Sequence, residues 1–147
     1  MQLFRITTAK WAGVLSGSGY PARWNSKGKF VIYTASSRAL ACLENLVHRS
    51  GEGLNKNFKL TVIDVPDDAS LKKIEPIDLP SYWYKTSMAP SCRILGDQWI
   101  ESGSSLLLSI PSAIIRDETN VLINPAHPEF KEVSVQDIVD FEFDERL

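Results

Sequence analysis

The chain has 147 residues, with 16 Lys and Arg against 18 Asp and Glu, a formal net charge of −2 and 44% hydrophobic residues. This length suits a single domain, expected over 1–147, with a core large enough to need no staples, and the composition is that of an ordinary globular protein. Near-balanced charge excludes broad non-specific nucleic-acid binding, which needs an excess of cations, but leaves room for one local basic patch. In chain order, Leu3–Ile6 reads as a first strand, and the glycine- and serine-rich stretch from Gly13 to Gly19 as a loop. Phe30–Thr34 is β-branched and aromatic and predicts a strand. A helix follows: Ser36 or Ser37 caps it, Leu40, Leu43, Leu46 and Val47 recur at helical spacing, and Gly51 stands where a C-terminal glycine stop belongs. Glu44, one residue on from Leu43, flanks the apolar stripe of that helix rather than opposing it.

Phe58–Val65 predicts another strand. Residues 66–90 hold four of the eight prolines and the aromatic cluster Tyr82-Trp83-Tyr84, and predict an irregular connection with at most one short turn. Ser91–Ser102 has helical spacing with Gly103 as its stop. Ser104–Ile110 and Asn120–Ile123 read as strands. Val133–Phe143 alternates apolar with acidic residues, as a half-exposed edge strand does. Strands outnumber helices without regular alternation, so the expected class is α+β.

Familiar catalytic motifs are missing. No phosphate-binding GxxxxGK[ST], no HExxH and no nucleophile elbow occurs, and Gly17-Ser18-Gly19 lacks the third glycine of a dinucleotide fingerprint. Cys42 and Cys92 form no CxxC, and with His48 and His127 they do not make a zinc pattern, so two free thiols are expected and no metal site. His127, between Pro125 and Pro128, reads as a loop histidine. Met1–Arg5 is not the start of a signal peptide, and no apolar run is long enough to span a bilayer, so the expectation is a cytoplasmic protein that touches no membrane.

A polar set remains around the first strand–helix unit: Arg23 beside Trp24, Tyr33, Ser36 and Glu44, joined by Ser112 just past a later strand. Arginine presents a rigid fork of donors suited to phosphate, and also packs on indole rings at ordinary surfaces. Tyrosine on a strand serves equally as a core aromatic, and a helix glutamate as a solvated charge. From the residues alone three readings stand. One is an enzyme built on this set, one an interaction module presenting Tyr82-Trp83-Tyr84, and one a single-stranded nucleic-acid binder stacking bases on Trp24 and Tyr33 beside Lys27 and Lys29.

The order Pro21-Ala22-Arg23-Trp24-Asn25, Tyr33, Ala39 to Glu44, Ile110-Pro111-Ser112-Ala113 and Asn124-Pro125-Ala126-His127-Pro128-Glu129-Phe130 resembles the RES-domain family, named for an arginine, a glutamate and a serine. The resemblance runs over nearly the whole chain. It places the family arginine on Arg23, the tyrosine on Tyr33, the glutamate on Glu44 and the serine on Ser112, with Ser104, Ser105 and Ser109 as alternatives for the last. It implies a fold similar to the ADP-ribosyltransferases of the diphtheria-toxin kind, a mixed sheet with a few packed helices. It further implies a bacterial toxin of a toxin–antitoxin pair, with NAD+ as substrate and no true cofactor or metal. Glu44, Arg23 and Tyr33 would be catalytic, while Arg23, Tyr33, Ser36 and Ser112 would bind substrate. The implied partner is an Xre-like antitoxin that covers the cleft and carries the DNA-binding part, so that this chain contacts no DNA itself. A complex with a second copy of the chain is the other association expected.

Overall fold

The computed structural model describes residues 1–49 and 57–147. Its elements are β1 (Gln2–Thr8), β2 (Ile32–Ala35), α1 (Arg38–His48), β3 (Phe58–Asp64), β4 (Leu71–Lys73), α2 (Ala89–Ser102), β5 (Leu107–Pro111), β6 (Thr119–Ile123) and β7 (Ser134–Phe141). Among the described residues the strands form one sheet in the order β4-β5-β6-β2-β1-β3-β7. The β4–β5 pair is parallel and the other pairings are antiparallel, so the sheet is mixed and the class is α+β.

Local chemistry explains most boundaries. The Ser37 hydroxyl accepts the Leu40 amide at 3.1 Å and so satisfies one of the unpaired donors at the start of α1. Gly51, expected to end this helix, lies outside the described residues. Helix α2 begins at Ala89, earlier than its pattern suggests, because Pro90 falls in the first turn, where a missing N–H removes no helical bond. It stops at Gly103 in the left-handed region, φ +57°. Strand β5 starts at Leu107 and carries Pro111 at its end, and β7 occupies an edge of the sheet as its alternation predicts.

Two expectations need correction. The connection 66–90 is not merely irregular: it contributes β4 and two 3₁₀ turns, Pro76–Asp78 and Thr86–Met88. Leu71-Lys72-Lys73 is exposed throughout, so main-chain pairing with β5 makes it a strand where no side-chain pattern could announce one. Strand β2 begins at Ile32 rather than Phe30, whose ring stays exposed.

Register sorts the side chains onto two faces. Phe4 lies opposite Ala35 and Val62; Ala35 lies opposite Asn120; and Asn120 lies opposite Ile110. All of these share one face with Tyr33, Leu122 and Leu108. At one end of that face, Leu40 and Ala41 of α1 pack on Phe4, Ile6, Leu60 and Val62. At the other end, Cys92 and Trp99 of α2, with Trp24 and Trp83, pack on Leu108, Ile110 and Leu122. The opposite face carries Leu3, Ile32, Ile63, Leu107 and Ile123 in a separate core. The Ala35–Asn120 step therefore lies where the two helix-covered clusters of the first face meet.

Candidate active site

Glu44 reaches that step from α1. Its side chain is 23% exposed, which places it at the rim of the apolar stripe as the helical wheel predicts. One carboxylate oxygen, Oε1, accepts two neutral donors: the Ser112 hydroxyl at 2.9 Å and the Asn120 side-chain amide in a short hydrogen bond. The other, Oε2, stands 3.6 Å from His48 Nδ1, which donates to the Glu44 main-chain carbonyl one helical turn back at 2.7 Å. Two donors on one oxygen fix the carboxylate plane and leave Oε2 to face whatever occupies the rim.

Ser112 is fully buried at the end of β5. Besides donating to Glu44, its oxygen accepts the Ile114 and Ile115 amides at 3.1 and 3.2 Å, and its own amide donates to the Glu118 carbonyl at 2.9 Å. The serine thus ties the 112–118 turn between β5 and β6 to the helix glutamate. Asn120 is the residue that sequence reasoning missed. Its signal was available: a lone amide on the inward face of the otherwise apolar run Val121-Leu122-Ile123. Its Oδ1 is buried without a hydrogen-bond partner, so the amide is held against Glu44 at the expense of an unsatisfied acceptor.

Arg23 and Tyr33 stand on the far side of the step, in the cluster under α2. Tyr33 is two residues before Ala35 on the same face, about 7 Å along the strand. Its hydroxyl donates to Asn25 Oδ1 at 2.6 Å and accepts the Trp24 amide at 3.2 Å. Burial pushes this phenol well above the ordinary tyrosine range, with the Trp24 amide acting in the opposite sense. Buried Asn25 anchors the loop in turn by donating to the Tyr20 and Lys29 carbonyls at 2.8 and 3.0 Å. Gly96 lets α2 press onto the same loop: a methyl group there would lie 1.8 Å from the Trp24 carbonyl oxygen.

The terminal nitrogens of Arg23 are engaged by main chain. Nη1 donates to the Trp83 and Lys85 carbonyls at 2.8 and 3.3 Å, and Nη2 to the Tyr84 carbonyl at 3.1 Å. The guanidinium is therefore the clasp of residues 83–85. Just before them stands Tyr82 at φ +61°, a conformation costing of order 1 kcal/mol or more for a non-glycine residue. Trp83 is buried, while the Tyr82 ring is exposed and the half-buried Tyr84 ring packs edge-on to it at 6.4 Å. Above Tyr84, 4.3 Å from its ring centre, sits the Arg116 guanidinium of the 112–118 turn.

Glu44 and Ser112 are thus brought into contact, and Arg23 and Tyr33 share the adjoining cluster, with no direct bond between the two pairs. Ser36 is exposed, and its amide donates to the Thr119 carbonyl at 3.2 Å, next to Asn120. Trp24 is only 2% exposed, which removes the stacking platform that the nucleic-acid reading required. His127 accepts the Glu129 amide at 3.2 Å as the cap of a 3₁₀ turn. Cys42 and Cys92 are free thiols. Among the described residues no helix is long and apolar enough to cross a membrane.

This architecture is shared with known proteins. A chain of the Mycobacterium tuberculosis MbcT–MbcA toxin–antitoxin complex superimposes with a TM-score of 0.79 over 96% of this chain and 84% of that one, at 19% identity. The shared fold is a mixed sheet with two packed helices. The RES domain family model matches residues 2–144, and the chain belongs to the RES-domain family. Its relatives include the "Prs ADP-ribosylating toxin" of Sphingobium sp. strain YBL2, 42% identical over 90% of this chain and 86% of that protein. A "Toxin Res" of Yersinia enterocolitica is 38% identical over 100% of this chain and 99% of its own length, and another of Photorhabdus laumondii is 36% identical over 100% and 97%.

Proposed function

We propose that this chain is the toxin of a bacterial toxin–antitoxin pair and that it cleaves NAD+ at the nicotinamide–ribose bond. The observation that carries the reading is Glu44 at the rim of α1, with Oε1 held by Ser112 and Asn120 and Oε2 not engaged by either. Toxin names among relatives that align over nearly the whole chain support the biological role.

The chemistry suits a single carboxylate. As the C1′–N bond breaks, its electron pair returns to the pyridinium ring, so nicotinamide leaves neutral and needs no general acid. Positive charge grows on C1′ and the ribose ring oxygen, as in glycoside hydrolysis. Oε2 of Glu44, fixed before the charge develops, stabilises that cation or a hydrogen-bonded ribose hydroxyl. The acceptor then forms a bond to C1′ and loses one proton; water gives free ADP-ribose, while phosphate or a protein side chain would give a transfer product at the same carbon. Tyr33, about one strand repeat away, supplies an aromatic wall for the ring that departs. Ser36, exposed beside Asn120, offers a hydroxyl to the substrate, and buried Ser112 acts through the Glu44 carboxylate that it holds. NAD+ is consumed as a substrate; no bound cofactor or metal enters the reaction.

An antitoxin partner would neutralise the toxin by covering the Glu44 rim. Purified protein incubated with NAD+ should release nicotinamide, and Glu44→Gln should slow release at least about 100-fold, the scale of deleting one preorganised electrostatic group. Wild-type protein that releases none, or a variant within twofold of wild type, overturns the proposal. Expression without a partner should also arrest growth, and Glu44→Gln should relieve it.

A further inference from the structure

A dinucleotide lying across the Glu44 rim brings a diphosphate, and some cation must meet it. Arg23 is poorly placed to do so, since both of its terminal nitrogens are engaged by the carbonyls of residues 83–85. Arg93 donates through Nε to the Ala22 carbonyl at 3.0 Å. Arg38 lies on the Phe4 ring, at the end of the face that α1 covers. Arg116 differs from these: it is exposed, its guanidinium stacks on Tyr84, and among the described residues no carboxylate pairs with it.

We propose that Arg116, braced on the Tyr84 ring, is the diphosphate-binding residue of this site. The assignment rests on the NAD+ reading for its substrate but on separate observations for its residue. A guanidinium packed over a ring keeps its edge donors available, the fork that phosphate oxygens accept in pairs. The main chain that carries Tyr84 is itself held, because Arg23 donates to its carbonyl at 3.1 Å. Arg116 follows Ser112 by four residues, at most about 14 Å of extended chain. The turn between them is pinned by the two amides that donate to the Ser112 hydroxyl. Arg116 is thus carried by the same turn whose Ser112 holds the Glu44 carboxylate.

The surroundings favour an anion. No Asp or Glu occurs between Asp78 and Asp97, whereas Lys85 and Arg93 do, and the Lys85 ammonium lies 4.9 Å from the Tyr82 ring centre. The exposed Asp117 and Glu118 follow Arg116 without forming an ion pair to it. Lys85 and Arg116 thus lie over neighbouring rings of the 82–84 cluster.

The test separates this residue from the reaction. ADP-ribose and adenosine are titrated calorimetrically into wild type, Arg116→Ala and Arg116→Lys, and NAD+ cleavage is measured on the same preparations. Wild type should bind ADP-ribose at least 30-fold more tightly than adenosine. Arg116→Ala should erase that preference without shifting the melting temperature, and Arg116→Lys should retain only part of it. For cleavage, Arg116→Ala should raise the KM for NAD+ tenfold or more, while nicotinamide riboside, which has the same scissile bond but no diphosphate, should change less than threefold. Equal wild-type affinity for ADP-ribose and adenosine, or an Arg116→Ala preference within twofold of wild type, overturns the assignment. Wild type that binds ADP-ribose through Arg116 yet leaves NAD+ intact rejects the glycohydrolase reading and keeps the anion site.

Discussion

Asn120 gives the most direct check on how Glu44 is held. Asn120→Ala deletes one of the two donors on Oε1 and leaves the Ser112 hydroxyl. A hydrogen bond to a charged group contributes about 1.5–3 kcal/mol. If that contribution goes into fixing the carboxylate for the developing cation, kcat should fall about 10- to 150-fold, since each 1.36 kcal/mol is a factor of ten. Stability should change little: the lost bond is offset by removal of the buried, unpartnered Oδ1, whose burial costs about 1–3 kcal/mol. Ser112→Ala should slow the reaction similarly, and because both residues act through one oxygen, the double variant should be no slower than Glu44→Gln. Nicotinamide release under saturating NAD+, with thermal melting as the folding control, reads both quantities. Unchanged turnover in Asn120→Ala, or a double variant far slower than Glu44→Gln, refutes the idea that these side chains act by orienting the glutamate.

Two further outcomes concern the loop cluster. Arg23→Ala removes the clasp on residues 83–85. Two good bonds to half-buried carbonyls and one long exposed one amount to about 2–3 kcal/mol after discounting for solvent, or about 5–10 °C in melting temperature, which calorimetry resolves. Tyr33 sets an alkaline limit. Its phenol is raised in the folded state, so its contribution is intact below the unfolded value near 10 and is lost as pH climbs above it, where only the unfolded chain ionises. Melting temperatures recorded from pH 8 to 11 should fall less steeply for Tyr33→Phe than for wild type; parallel curves would dismiss the effect.

Much of the architecture was legible because it depends on local patterns. Leu40, Leu43 and Leu46 with a serine cap define α1, the alternating tail defines an edge strand, and Glu44 beside the stripe points to the rim it occupies. What stayed hidden depends on distant partners. Leu71-Lys72-Lys73 is a strand only because β5 offers its edge. Arg23 beside Trp24 suggests a stacked or phosphate-facing guanidinium, yet the chain brings three carbonyls from sixty residues away to meet it. Asn120 is one polar residue in an apolar strand, and its meaning comes from cross-strand register with Ala35, beneath a helix that sequence spacing alone cannot position.

The carboxylate and its two donors belong to different bodies: Glu44 rides on α1, while Ser112 and Asn120 bracket the turn between β5 and β6. Hydrogen bonds fade within fractions of an ångström, so a slight rocking of that hairpin away from the helix would disarm the glutamate while its entrance stayed open. An inhibitor of such a protein need not plug the pocket; leverage on the outside of the hairpin is enough.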